Sequence, residues 1–393
     1  MSRSPIVLVI GLLAAGVVRA AEEPTFRDRP LSTWIAVLTG DKEVKHRQGA
    51  LIALERIGPL KSDKVLPALT AALASADQDE VVRVSAAQTL GRLYEGVKET
   101  DAAIDWNDVR DGLGTAVRTD KSPHVREAAA NALGRMAGDA AKAVPNLAAA
   151  LKDEKQSVRA AAADALRRIA VNKDGAKEVA NALPELELLV KDTQADHLGR
   201  AQAALAIGQV GAPEAVPAVG TLSNVAADDK APADVRKAAV DALGRLGTDA
   251  GAAAGRLGDV LASATAPSEV RRGAVEALDR FGASAKPALP ALKKAVGDND
   301  KFIRVIAMHA LGRMGPDLGG EVKDVVVVLL PHLNDQILEV RVAAIQSLGA
   351  IGREALGEDL KKVTDPLSAQ ADDSRAVVRD AANAALARLK SKP

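Results

Sequence analysis

The sequence predicts an all-α solenoid of about ten helix pairs, and three observations predict it. The first is a phrase that recurs along the chain: "VREAAANALGRMAG" at 125–138, "VRKAAVDALGRLG" at 235–247, "IRVIAMHALGRMG" at 303–315 and "VRVAAIQSLGAIG" at 340–352. Aligned on its arginine it occurs at Arg47, Arg83, Arg126, Arg159, Arg200, Arg236, Arg271, Arg304, Arg341 and Arg379, at intervals of 33 to 43 residues. A period in that range marks stacked repeats rather than independent globules. The second is composition. Aromatic residues are 2% of the chain and apolar residues 48%, so Ala, Val and Leu must build the core, as suits closely packed helix pairs. The third is the spacing inside the phrase. Apolar residues fall at +3, +4, +6, +7 and +10 from the arginine, as Ala129, Ala130, Ala132, Leu133 and Met136 do in the third copy. That is a helix with a wide apolar face.

Taken in order, residues 1–20 read as a signal peptide. Arg3 supplies a positive start, Ile6 to Val18 is apolar, and Val18-Arg19-Ala20 places small residues where a signal peptidase needs them. The apolar run is shorter than the roughly 20 residues that span a bilayer. Residues 21–33 are a lead-in, and 34–393 form the repeat array. The chain contains no cysteine, which excludes disulfides, thiol chemistry, Cys-ligated zinc and a lipoprotein anchor. The expectation is an exported bacterial protein, periplasmic or secreted, with no stable membrane anchor after cleavage.

Trp34, in "FRDRPLSTWIAVL" (26–38), is the one large aromatic of the first helix and is expected to cap the stack. Each unit then begins with a first helix, as in "AVPNLAAALKD" (143–153), "ALPELELLVKD" (182–192) and "ALPALKKAVGD" (288–298). Pro145, Pro184 and Pro290 sit near helix starts, where a missing N–H costs nothing. An aspartate follows, six residues before the arginine, at Asp41, Asp77, Asp120, Asp153, Asp298, Asp335 and Asp373, and reads as the N-cap of the second helix. Three repeats depart: Arg200 has Asp192, Arg236 has Asp229 at seven, and Arg271 has Thr265. Glycine at +11 (Gly58, Gly211, Gly247, Gly282, Gly315, Gly352) reads as the stop. The longest interval, from Arg83 to Arg126, carries Tyr94 and Trp106 in a lengthened loop, and "NKDGAKEVAN" is a second insertion.

Chemistry is sparse. His46, His124, His197, His309 and His332 have no zinc-helix spacing, and there is no HExxH, GxSxG or GxxxxGK. No catalytic constellation, cofactor or metal site is expected. His309 is set apart by occupying the exposed +5 position. One pattern does stand out. Eight repeats carry a second arginine at +9: Arg56, Arg92, Arg135, Arg168, Arg245, Arg280, Arg313 and Arg388, with Gln209 and Ala350 in the other two. Such a stripe reads as a groove for carboxylate, sulfate or an acidic partner segment, or as cations beside the negative ends of helices. Asp164, Asp241 and Glu276, four residues before Arg168, Arg245 and Arg280, favour the second reading.

The Pro, Asp and Val-Arg placements over 34–393 resemble the HEAT-repeat proteins, especially the short PBS-lyase HEAT-like repeats. The resemblance implies a right-handed α-solenoid, armadillo-like, with a ladder of turn aspartates and second-helix arginines between adjacent repeats. Carried over, the pairs are Asp77 with Arg83, Asp120 with Arg126, Asp153 with Arg159, Asp298 with Arg304, Asp335 with Arg341 and Asp373 with Arg379. It also implies that second helices line a concave surface, presenting +1, +5 and +9 to a partner. Arg56, Arg92, Asn131, Arg135, His309, Arg313 and Gln346 are the candidate contact residues. The implied function is a non-enzymatic protein-interaction scaffold. A bilin lyase, suggested by the family label, would need a cytoplasmic setting at odds with the signal segment. Nucleic-acid binding fits poorly with 52 basic against 52 acidic residues and few aromatics.

Overall fold

A computed structural model describes residues 23–60, 62–97 and 104–391; the expected signal segment lies outside them. The fold is an α-solenoid. The second helices run Val44–Ile57, Glu80–Val97, Pro123–Met136, Gln156–Ile169, His197–Val210, Ala233–Leu246, Ser268–Phe281, Lys301–Met314, Leu338–Ile351 and Ala376–Lys390. Each follows a first helix, among them Leu31–Gly40, Asn107–Thr119, Val144–Ala150, Leu183–Lys191 and Leu289–Ala295. Pro145, Pro184 and Pro290 occupy the first turn of the last three. Neighbouring second helices pack more densely than neighbouring first helices, so the stack curves with the second helices inside.

The periodic positions of the third phrase, Ala129, Ala130, Ala132, Leu133 and Met136, are buried in one continuous core. Close approaches to the next repeat's helix are made by the glycine at +8. A methyl group added at Gly208 would meet Ala242 Cα at 2.6 Å, and one at Gly349 would meet Ala385 Cβ at 2.6 Å. Gly91, Gly134 and Gly312 likewise face the +6 residues Ala132, Ala165 and Ser347 of the next repeat. The phrase therefore writes glycine at +8 so that two helices can approach.

At +11, Gly211, Gly247, Gly282, Gly315 and Gly352 take positive φ, and Ala137 adopts the same turn at φ 48°. Gly58 differs. It stays right-handed at φ −47° and leads straight into a 3₁₀ turn, with its open face against Leu93. Its role is packing room, not a left-handed stop.

The first helix begins at Leu31, ahead of the expected boundary, because Pro30 sets the entry with φ −70°. Before it, Thr25–Phe26 and Arg29–Pro30 pair as a minimal hairpin around Arg27 and Asp28, both at positive φ. Trp34 is 9% exposed under this hairpin. Its indole N–H donates to the Phe26 carbonyl at 3.1 Å, and the Arg29 guanidinium lies 5.3 Å from the ring centre. The lengthened second repeat runs to Val97, and Tyr94 meets Trp106 edge-on at 5.1 Å. The later insertion forms a short helix, Lys173–Val179, capped by the Asn172 side chain.

The turn aspartates do not cap the second helices; the N-cap lies two residues further on. Asp41, Asp120, Asp153, Asp298, Asp335 and Asp373 each accept the N–H of the residue at +2, closing an Asx turn at 2.8–2.9 Å. The pairing with arginine also differs from the within-repeat scheme. The arginine six residues on donates to the aspartate's backbone carbonyl, as Arg126 does to Asp120 at 3.0 Å and Arg159 to Asp153 at 2.8 Å. The carboxylate instead takes the arginine of the repeat before: Arg83 holds Asp120 at 2.9 and 3.0 Å, and Arg126 holds Asp153 at 2.6 and 2.8 Å. Arg271 reaches Asp298 and Arg341 reaches Asp373 in the same way. Six residues of turn leave a guanidinium within reach of its own carbonyl, while the carboxylate points back along the stack. Asp77 takes neither role: Arg83 uses the Gln78 carbonyl at 2.6 Å.

Burial alone raises the Asp153 carboxyl, but hydrogen bonds from Arg126 and the Lys155 N–H outweigh it and hold it below the ordinary 3.8. Where no carboxylate is met, the arginine Nε is buried without a partner among the described residues, at Arg47, Arg159 and Arg304. The three departing repeats use another device. Arg200, Arg236 and Arg271 donate through Nε to the carbonyls of Val190, Ala226 and Leu261, in the last turn of their own first helices.

Candidate interaction surface

The second helices turn +5 and +9 outward on the inner face, because +3, +4, +6, +7 and +10 are spent on the core. Three hollows open there. One of about 300 Å3 is lined by Gln88, Arg92, Asn131, Arg135 and Arg168, among others. A second, also about 300 Å3, lies between Leu205, Asp241, Arg245, Glu276 and Arg280. The third, about 420 Å3, is bounded by His309, Arg313, Gln346, Ser347 and Arg388. Of the sequence candidates, Arg92, Asn131 and Arg135 share the first hollow and His309, Arg313 and Gln346 share the third. Arg56 lines none of these three. A larger hollow of about 550 Å3 lies away from this face, by Leu73, Gly112, Thr115 and the Arg83–Asp120 pair.

The +9 arginines are tied mostly across repeat boundaries. Arg92 makes a two-pronged pair with Glu55, at 3.0 and 2.8 Å, and a third bond to Thr89. Arg135 pairs with Glu95, Arg245 donates to Gln209 at 3.0 Å, and Arg313 meets Asp279 at 3.3 Å. Only Arg168 takes the acid four residues before it, Asp164, at 2.7 Å. Asp241 pairs with Lys237 instead. Arg56, Arg280 and Arg388 have no side-chain partner among the described residues. Glu55 and Asp279 occupy the +8 site that is glycine in six of the ten repeats. The exchange of glycine for an acid at +8 is the sequence signal for these ties.

The histidines are dispersed. His46 meets Asp41 and His332 meets Asp335, while His124 pairs with Glu80 of the previous repeat and His197 with Asp234 of the next. His124, Glu80, His197 and Asp234 all stand two or three residues before a repeat arginine, as do Lys301 and Glu339, which pair at 3.1 Å. These bridges form a second seam between repeats. Among the described residues no three His, Asp or Glu side chains cluster as metal ligands, and no helix is long and apolar enough to cross a membrane.

A family model described as HEAT repeats matches residues 110–196, and one described as PBS lyase HEAT-like repeat matches 199–222 and 270–298. No curated protein matches the chain. Among solved structures, an engineered protein aligns over 92% of this chain and 99% of its own at 21% identity, TM-score 0.63. Kap121p bound to Pho4p aligns over 91% of this chain and 41% of its own at 14% identity, TM-score 0.56, as does Kap121p bound to Ste12p. At these identities the likeness is one of fold.

Proposed function

The chain is a HEAT-repeat protein, and on that premise we propose that it is an exported, non-enzymatic scaffold that binds protein partners on its inner face. The observation that carries this reading is the row of three hollows lined by +5 and +9 residues, on the face of the second helices that the core does not consume. Extended inner surfaces are what stacked repeats offer to partners, and Kap121p, alike in fold, is crystallised with Pho4p and with Ste12p. Export is supported by Arg3 and the apolar run from Ile6 to Val18.

Site-specific photocrosslinking tests the reading. A photoreactive residue at Asn131 or Gln346, on the inner face, should yield a discrete protein adduct in cells. The same probe at Leu188, exposed on a first helix, should not. Adducts from Leu188 alone would sink the proposal, and so would a chain confined to the cytoplasm.

A further inference from the structure

We infer that the hollow between the eighth and tenth repeats seats a carboxylate side chain of an acidic partner segment. This rests on the scaffold reading and adds to it a place and a chemistry.

The hollow arises from two omissions. Ala350 stands at +9, where eight repeats have arginine, and Ala384 stands at +5 of the last repeat. The space that side chains would fill is left open between Arg313 and Arg388, the +9 arginines of the repeats on either side. Its donors are uncommitted. Arg388, His309 and Gln346 have no side-chain partner among the described residues. Arg313 spends one N–H on Asp279, at 3.3 Å, which orients the guanidinium and leaves its other N–H groups. Ser347, 2% exposed, lies in the wall, and its hydroxyl has no hydrogen-bond partner.

The charge count singles out this hollow. Two arginines face one aspartate here. In the hollow around Asn131, Arg92, Arg135 and Arg168 are already held by Glu55, Glu95 and Asp164. The hollow around Leu205 carries two acids of its own, Asp241 and Glu276, which repel a further carboxylate. A carboxylate suits the vacancy because its two oxygens match the planar fork of a guanidinium and accept from an amide besides. On an inner face that runs the length of the stack, such a group arrives on an extended chain.

Fluorescence anisotropy with labelled hexaglutamate tests the inference, using the full chain with Arg388→Ala and Ala350→Arg. Arg388 is exposed and Ala350 faces the hollow, so circular dichroism should report unchanged helix for both. The wild type should bind the peptide, and each variant should weaken binding by about tenfold or more. Ala350→Arg is the sharper variant, since it adds positive charge while filling the space. If attraction were diffuse, it would strengthen binding, and that result overturns the seat. Failure of the wild type to bind hexaglutamate overturns it too. If the seat fails while Asn131 and Gln346 still crosslink a partner, the scaffold reading stands alone.

Discussion

Arg126 and Asp153 face each other across a repeat boundary, Nε to Oδ2 at 2.6 Å and Nη2 to Oδ1 at 2.8 Å, with both side chains almost wholly buried. Removing one partner strands the other's charge, whereas Arg304 already carries a buried Nε with nothing to meet. Arg126→Met is expected to cost about 3 kcal/mol. Arg304→Met forfeits chiefly its 2.7 Å bond to the Asp298 carbonyl, worth about 1 kcal/mol. Urea midpoints compare the two, and equal losses would contradict the difference drawn between them.

The same pair predicts an acid limb. Asp153 is held below 3.8 in the folded chain, so its contribution is fully present above that value and is lost as pH falls through the lowered one. Asp300, set against Arg272, is lowered too, with burial opposing. Asp153→Asn keeps the Asx turn but removes the titration. Its stability, followed by urea unfolding from neutral pH into acid, should fall less steeply than the wild type's below 3.8. Parallel curves would refute it.

Two glycines at the same register should respond with opposite sign. At Gly208 an added methyl runs into Ala242 backbone at 2.6 Å, but at Gly244 the nearest atoms are 3.4 Å away. Gly208→Ala should lower the melting temperature by overpacking, at a cost of about 1–3 kcal/mol. Gly244→Ala should leave it level or raise it, because alanine gains up to about 1 kcal/mol in a helix interior. Thermal melts followed at 222 nm decide this.

Ala137 holds a positive φ that glycine holds in the equivalent turns at Gly247 and Gly282. Ala137→Gly should therefore stabilise by about 1 kcal/mol, despite the greater freedom of glycine in the unfolded chain. Gly247→Ala is the mirror experiment and should destabilise by a similar amount. A loss of stability in Ala137→Gly would mean that strain at this turn is negligible.

The repeats, their register and their buried faces were legible in the sequence because burial recurs with the helical period at every copy. The prolines were legible because each falls in a first turn. The partners of Asp120 and Asp153 were not, since a spacing of six along the chain says nothing of which neighbour a carboxylate faces once repeats are stacked. The +8 glycine was hidden for the same reason: its contact, Ala242 for Gly208, lies in the next unit. The hairpin at 25–30 has strands of two residues, too short for any alternation to show. On the inner face the +9 stripe was visible, but Glu55 and Asp279, which tie Arg92 and Arg313, belong to the preceding repeat.

Arg200 and Arg236, which turn to their own first helices and send no rung onward, have a further effect. From Arg159 to Arg236 no aspartate–arginine rung crosses a boundary, while rungs leave Arg83, Arg126, Arg271 and Arg341. In that middle block Gly208 lies in tight apolar contact with Ala242. The array is thus a one-dimensional lattice with two kinds of coupling, one sensitive to protonation and one indifferent to it. Acid therefore acts at the boundaries that carry a rung and at the His197–Asp234 bridge, while the Gly208–Ala242 contact keeps its strength.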